Sequence, residues 1–156
     1  MLQIDIPGQN TFILKHLVLD YNGTIAEDGE LISGVSERLI DLSNSLTIHV
    51  ITADTHGTVK AKLAGLPIQT TVIGEGAQDK QKEEFVKLLN AESVIAMGNG
   101  RNDIHMLSAA AVGVGLMQKE GCSTAIIQSA DILCDNICDA LDLLRFPDRI
   151  RATLRN

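Results

Sequence analysis

The chain is expected to form an α/β fold: a doubly wound, mainly parallel sheet in a three-layer α/β/α arrangement, with a short N-terminal β extension. Three observations point there. Short apolar runs at Leu17-Val18-Leu19, Leu46–Ile51, Ser93–Met97 and Val112–Leu116 read as strands buried on both faces. Amphipathic segments of helical period separate them, the alternation of a parallel sheet covered on both sides. Polar or glycine-rich residues follow several strand ends, where open α/β sheets bind ligands.

The elements follow in order. Leu2 to Ile6 alternates apolar and polar, and Pro7-Gly8-Gln9-Asn10 is a turn signal. Thr11 to Leu14 either pairs back as a hairpin or leads into the central strand, His16 to Leu19, which delivers Asp20 at its carboxyl end. Ile25 to Glu30 is too polar for the core and reads as an exposed loop or a small flap over that strand end. Ser33 or Ser36 is expected to cap a helix over Val35–Leu42. Leu46 to Ile51 is the second main strand, with His49 inside it as a satisfied sheet histidine. A helix is expected from Thr55 to Gly65, with Pro67 blocking continuation. Gln69 to Ile73 is the next strand. Asp79 is expected to cap a helix over Lys80–Leu89, whose stripe is Phe85, Val86, Leu88 and Leu89. Ser93–Met97 ends at Gly98-Asn99-Gly100, and Arg101-Asn102-Asp103 opens a helix reaching Ala110. Val112–Leu116 is a strand, Ala125–Ser129 helical, Asp131–Leu133 strand-like and Asn136–Leu144 helical. Asp148 caps a last basic turn after Pro147.

Composition narrows the function classes. The 156 residues suit one domain spanning 1–156, and with 45% hydrophobic residues but 3% aromatic ones the core must be aliphatic. The net charge of −7 and the lack of a basic tract argue against a nucleic-acid partner. No apolar run reaches the roughly 18 residues a membrane span needs, and no leader pattern is present, so no membrane partner and a cytoplasmic location are expected. Cys122, Cys134 and Cys138 are odd in number and lack clustered co-ligands, which suits free thiols in a reducing compartment.

In a doubly wound sheet the strand ends at Asp20–Thr24, Thr52–Asp54 and Gly98–Asp103, together with Lys80 just past a loop, converge on one crevice. A carboxylate can attack phosphorus, a hydroxyl and an ammonium can hold phosphoryl oxygens, and carboxylates can bind Mg²⁺. Here the resemblance is plain. Asp20-Tyr21-Asn22-Gly23-Thr24, Ile51-Thr52-Ala53-Asp54-Thr55 with Lys62-Leu63-Ala64-Gly65-Leu66, Asp79-Lys80, and Gly98-Asn99-Gly100-Arg101-Asn102-Asp103 occur in order. Together they resemble the motifs of haloacid dehalogenase (HAD) superfamily phosphohydrolases, in particular the phosphorylation domain of P-type ATPases in free-standing form. Ala111–Gly115 and Ser129–Leu133 resemble the stretch beyond the last motif.

The resemblance implies a Rossmann-like, HAD-like fold and a Mg²⁺-dependent phosphatase working through a phospho-aspartate on Asp20. It implies that Thr52 and Lys80 bind the phosphoryl group, with Gly23 and Ala53 beside them and Lys80 restraining Asp20. It implies Mg²⁺ held by Asp20, the main-chain carbonyl of Asn22, Asn99 and Asp103, with Thr24, Asp54 and Asn102 in support. Asp54 either orients the loop near Thr52 or caps the following helix. Two departures from the family pattern matter. Asn22 stands where superfamily phosphatases carry a second aspartate as acid and base, and an amide exchanges no proton near neutral pH, so slow hydrolysis is expected. Asn99 removes one negative charge from the metal site. The alternative is a HAD-fold binding or regulatory module with impaired catalysis. Neither usual cap insertion point has room for a domain, so the chain is expected to be capless. An open crevice suits a large phosphorylated substrate, a neighbouring copy of the chain acting as lid, or low selectivity among small phosphate esters.

Overall fold

The computed structural model describes residues 1–54 and 56–156; Thr55, expected to open the second helix, lies outside the described residues. The strands are β1 (Leu2–Ile4), β2 (Phe12–Leu14), β3 (His16–Asp20), β4 (Ala26–Glu27), β5 (Glu30–Leu31), β6 (Thr47–Thr52), β7 (Ile68–Val72), β8 (Val94–Gly98), β9 (Val112–Leu116) and β10 (Ile132–Cys134). The helices are α1 (Val35–Leu42), α2 (Thr58–Lys62), α3 (Gln78–Leu88), α4 (Ile104–Ala109), α5 (Ile126–Ser129), α6 (Ile137–Arg145) and α7 (Asp148–Leu154). The main sheet has six strands in the order β10-β9-β8-β3-β6-β7, all parallel.

Side chains alternate between two cores, as period-two geometry demands. Leu17, Leu19, Val50, Ile95, Met97 and Val114 face one side, where α1, α2 and α6 pack. Val18, Ile51, Val94 and Ala96 face the other, against Val86 of α3, Met106 and Leu107 of α4 and Ile126 of α5. β9 lets two helices come close on that second face because Gly113 and Gly115 carry no Cβ. A Cβ at Gly113 would stand 2.6 Å from the carbonyl oxygen of Leu107, and one at Gly115 would meet Ile126. Across the first face, Arg38 of α1 grips Asp142 of α6 through two hydrogen bonds of 2.9 and 3.0 Å. The N-terminal β extension is an antiparallel hairpin, with Leu2 opposite Leu14 and Ile4 opposite Phe12.

Several boundaries differ from expectation for local reasons. α1 is entered through Gly34 at φ 86°, not capped by Ser33 or Ser36. α3 is entered through Ala77 at φ 47°, so it starts at Gln78 and Asp79 lies inside its first turn instead of capping it. There its negative charge still favours the helix N-terminus. Leu88, placed in the apolar stripe, is 86% exposed. His49 is only half satisfied: its Nε2 lies 3.2 Å from His16 Nδ1, but its Nδ1 is buried without a partner among the described residues. The segment after Thr24 forms a flap, the β4–β5 hairpin.

Candidate active site

From β3 the chain winds outward through β6 and β7, then crosses back to β8 and winds the other way to β10. The strand order therefore reverses between β3 and β8, and the loops leaving these neighbours diverge to open a crevice at their carboxyl ends. Asp20, Asn22, Thr52, Ala53 and Asn99 line a cleft of about 240 Å³ there, closed by Gln78, Gly100 and Asn102.

Lys82 lies at the bottom of this cleft. It reaches from the second turn of α3, is 1% exposed, and places Nζ 2.6 Å from both Asp20 Oδ1 and Asp103 Oδ1. Lys80, expected in this role, is exposed on α3. Two residues of helix turn a side chain by about 200°, so only one of the pair can face the sheet. Lys82 shares a stripe with Phe85, Val86 and Leu89, at i, i+3, i+4 and i+7, and that spacing was the signal that identifies it.

Asp103 anchors the β8 loop. Its Oδ2 accepts from the backbone N–H of Asn99 at 3.0 Å and of Gly100 at 2.8 Å. Gly98 leaves space for this carboxylate; a Cβ there would stand 2.5 Å from Asp103 Cγ. On the β3 loop, Thr24 is fully buried with its hydroxyl 3.5 Å from Asp20 Oδ2 and 3.3 Å from Asn99 Oδ1. Gly23 adopts φ 75° with Asn99 directly against it, so a side chain is excluded both by conformation and by space. Gln118, which the sequence reading missed because a lone loop glutamine gives no pattern, ties this loop down. Its Nε2 donates to the carbonyls of Gly23 and Thr24 at 3.0 and 2.8 Å, while its Oε1 accepts from Ile137 N at 2.7 Å. Gln78 was missed likewise; its Oε1 accepts from Asn102 Nδ2 at 2.9 Å.

Thr52 is 2% exposed and accepts from Asp54 N at 3.1 Å, which leaves its own O–H without a partner among the described residues. Asp54 lies ahead of Gly57, the residue that enters α2, and reaches both ways: its N–H donates to Thr52 Oγ1 and its carboxylate accepts from the helix start. Its two oxygens accept from His56 N at 3.0 Å and Val59 N at 2.7 Å, and these bonds hold its carboxyl below the usual carboxylate range.

The electrostatics follow from burial. Desolvation, reinforced by the neighbouring Asp103, pushes the Asp20 carboxyl up to about 7 against the pull of Lys82. Burial works against the Lys82 ammonium, but the two carboxylates outweigh it and raise its pKa. The donor set fits a hard cation. All candidate ligand atoms are oxygens: Asp20 and Asp103 carboxylates, the Asn99 amide oxygen and the Asn22 carbonyl. Lys82 occupies Asp20 Oδ1, whereas Asp20 Oδ2 carries the long Thr24 contact and no ion pair among the described residues, so it is the carboxylate oxygen with capacity to spare. Both oxygens of Asp103 already accept hydrogen bonds, which suits contact through water.

Comparison with known proteins bears on the family and the fold. A family model for haloacid dehalogenase-like hydrolases matches residues 80–139. An uncharacterized protein of Methanocaldococcus jannaschii is 40% identical over 80 residues, which is 51% of this chain and 86% of that protein. A second uncharacterized protein of the same organism is 49% identical over 39 residues, 25% of this chain and 89% of its own length. Among solved structures, the cobalt-bound deoxy-D-mannose-octulosonate 8-phosphate phosphatase of Haemophilus influenzae has a TM-score of 0.73 at 12% identity, covering 92% of this chain and 94% of that one. The 3-deoxy-D-manno-octulosonate 8-phosphate phosphatase of Moraxella catarrhalis, solved with magnesium, phosphate and its sugar acid, has a TM-score of 0.65 at 16% identity, covering 91% and 94%. At such identities these two structures speak to the fold. Taken with the family match and the described sheet, they lead to one assignment: the chain belongs to the haloacid dehalogenase superfamily of hydrolases.

Proposed function

We propose that the protein is a phosphomonoester hydrolase whose nucleophile is Asp20, working with Mg²⁺. The observation that carries this reading is the shared ammonium: one buried Lys82 holds Asp20 and Asp103 at 2.6 Å each, at the bottom of a switch-point cleft. Lys82 fixes Asp20 through Oδ1 and leaves Oδ2 for attack. In the first half-reaction an Asp20 oxygen bonds to phosphorus and the ester P–O bond breaks. The leaving oxygen takes its proton from solvent, because Asn22 cannot supply one. In the second, a water oxygen attacks phosphorus, the acyl phosphate bond breaks and Asp20 is regenerated with inorganic phosphate. Thr52 O–H and Lys82 are the donors for phosphoryl oxygens. Asp20, the Asn22 carbonyl and Asn99 would hold Mg²⁺, with Asp103 behind them; bound there it lowers the repulsion between an anionic nucleophile and an anionic ester. The Moraxella catarrhalis phosphatase, with its magnesium and phosphate, supports the same pairing of metal and ester here.

A second reading is a phosphate-binding module with little turnover. It is favoured by Asn99, whose amide is spent on Thr24 and on the Gly121 carbonyl at 3.0 Å. One experiment separates the two. The protein is incubated with Mg²⁺ and a panel of phosphate esters, phosphate release is followed, and acid-quenched protein is weighed by mass spectrometry. The hydrolase reading expects release and a phosphoryl adduct on the peptide containing Asp20, both absent in Asp20→Ala. Equal phosphate release from wild type and Asp20→Ala defeats it.

A further inference from the structure

We propose that Arg101 selects phosphate esters whose leaving group carries a second anionic group; this rests on the phosphomonoesterase reading and adds a substrate class to it. The nucleophile cleft does not end at Gln78 and Asn102. The same two residues, joined by their 2.9 Å hydrogen bond, also line a neighbouring cavity of about 560 Å³ between the start of α3 and the 101–105 segment. A leaving group pointing away from Asp20 on this side enters that cavity.

Its wall is mixed polar and apolar. Asp79, Arg101, Asn102 and His105 contribute to the wall, with Ile104 as its branched aliphatic member. Asp79 Oδ2 lies 3.4 Å from His105 Nε2, a contact that is an ion pair only when the imidazole carries a proton. Arg101 is exposed and makes no ion pair or side-chain hydrogen bond among the described residues. By contrast Arg38, Arg145 and Arg151 each hold a carboxylate within 3 Å, and Arg149 lies over the Phe146 ring. The backbone carrying Arg101 is held in place: Gly100 N–H donates to Asp103, and Asp103 N–H donates to the Gly100 carbonyl at 3.0 Å. An arginine in a fixed loop, with its planar fork unspent, is suited to a carboxylate or phosphate.

The opposite flank offers no such cation. A cavity of about 380 Å³ lies beyond Asn22 and Ala53, and its cation, Lys62, donates to the Gly29 carbonyl and to Glu30. Asp54 faces the same space. The asymmetry places an anionic leaving group on the Arg101 side. The expected gain from one exposed charge-assisted pair is about two- to fivefold in affinity.

The test is calorimetric binding to Asp20→Asn protein in Mg²⁺, so that turnover is not needed. Two matched pairs are compared: glycerol 3-phosphate with 3-phosphoglycerate, and fructose 6-phosphate with fructose 1,6-bisphosphate. The second member of at least one pair should bind about two- to fivefold tighter. A preference in the first pair alone specifies a carboxylate, and in the second alone a phosphate. Adding Arg101→Gln should equalise the affinities, whereas adding Arg149→Gln on α7 should leave the preference. Equal binding within both pairs, no binding by any of the four, or a preference that survives Arg101→Gln overturns the proposal. Failure of the hydrolase reading appears elsewhere, as wild-type protein that binds these esters without releasing phosphate.

Discussion

Lys82 Nζ lies 2.6 Å from Asp20 Oδ1 and is all but sealed from solvent. One ammonium thus compensates the nucleophile and, on its other side, Asp103. Removing one partner from a buried ionic group costs about 3–5 kcal/mol, because the charges left behind lack compensation. Lys82→Met is therefore expected to destabilise the protein by that order in urea unfolding and to abolish phosphoryl transfer. Lys80→Met, two residues earlier and exposed, should shift stability by less than about 0.5 kcal/mol and leave the cleft intact. If both variants behave alike, α3 does not present Lys82 to the site.

The same burial makes the nucleophile a burden on folding. Asp20 has a raised pKa, about 7, while in the unfolded chain it titrates near ~3.9. Between those values the native state holds the proton that the unfolded chain has lost, so stability contributed by this group falls as pH rises from ~4 to ~7. Asp20→Asn removes that penalty. In EDTA at pH 7.5 the variant should melt higher than wild type, by an amount of order 1 kcal/mol or more. Added Mg²⁺ should narrow the gap if wild type binds it. A lower melting point for Asp20→Asn in EDTA would contradict the buried-carboxylate account.

Asn22 is exposed at the lip of the cleft while Asp20 is buried beneath it. An aspartate at position 22 would have solvent access and therefore an ordinary carboxyl able to pass protons. General acid–base assistance is worth roughly 10²–10⁴-fold in rate. Asn22→Asp should raise steady-state phosphate release toward that range and lower the trapped phospho-Asp20 fraction. Rapid-quench measurement of the adduct checks both. Unchanged turnover with an unchanged adduct level would show that proton transfer does not limit the reaction.

Most of the scaffold was readable because its physics is local. β3, β8 and β9 are continuous aliphatic runs, and burial on both faces of a parallel sheet is what such runs are for. Asp20, Thr52, Asn99 and Asp103 sit where those runs stop, so their convergence followed from topology. The misreadings occurred where backbone conformation, not side-chain pattern, decides. Ala77 takes a left-handed φ that begins α3 two residues before the expected Lys80. The resemblance of Asp79-Lys80 to a family motif points to Lys80, although helical period alone places Lys82 with Val86 and Leu89. Gln118 was invisible because its three hydrogen bonds join β3's loop to α6, residues 94–95 and 19 positions away in sequence.

His49 offers a stability test independent of the cleft. It is 3% exposed, lies edge-on to Phe85 with ring centres 5.4 Å apart, and shares one hydrogen bond with His16 while Nδ1 has no partner among the described residues. Burial first, and His16 second, lower its pKa to about 4. The unfolded chain binds this proton near ~6.5, so between ~6.5 and ~4 it holds more protons than the native state, and stability from this group falls as pH falls. The full effect is at most about 3 kcal/mol. Asp20 titrates across much of the same interval with the opposite sign, so the total slope of wild type is not diagnostic. The difference between wild type and His49→Leu isolates the histidine. Urea melts at pH 7 and pH 4.5 should show the variant gaining on wild type by about 1–3 kcal/mol as pH drops. Parallel pH profiles for the two proteins would mean that His49 is protonated in the folded state, with its Nδ1 satisfied by some other group.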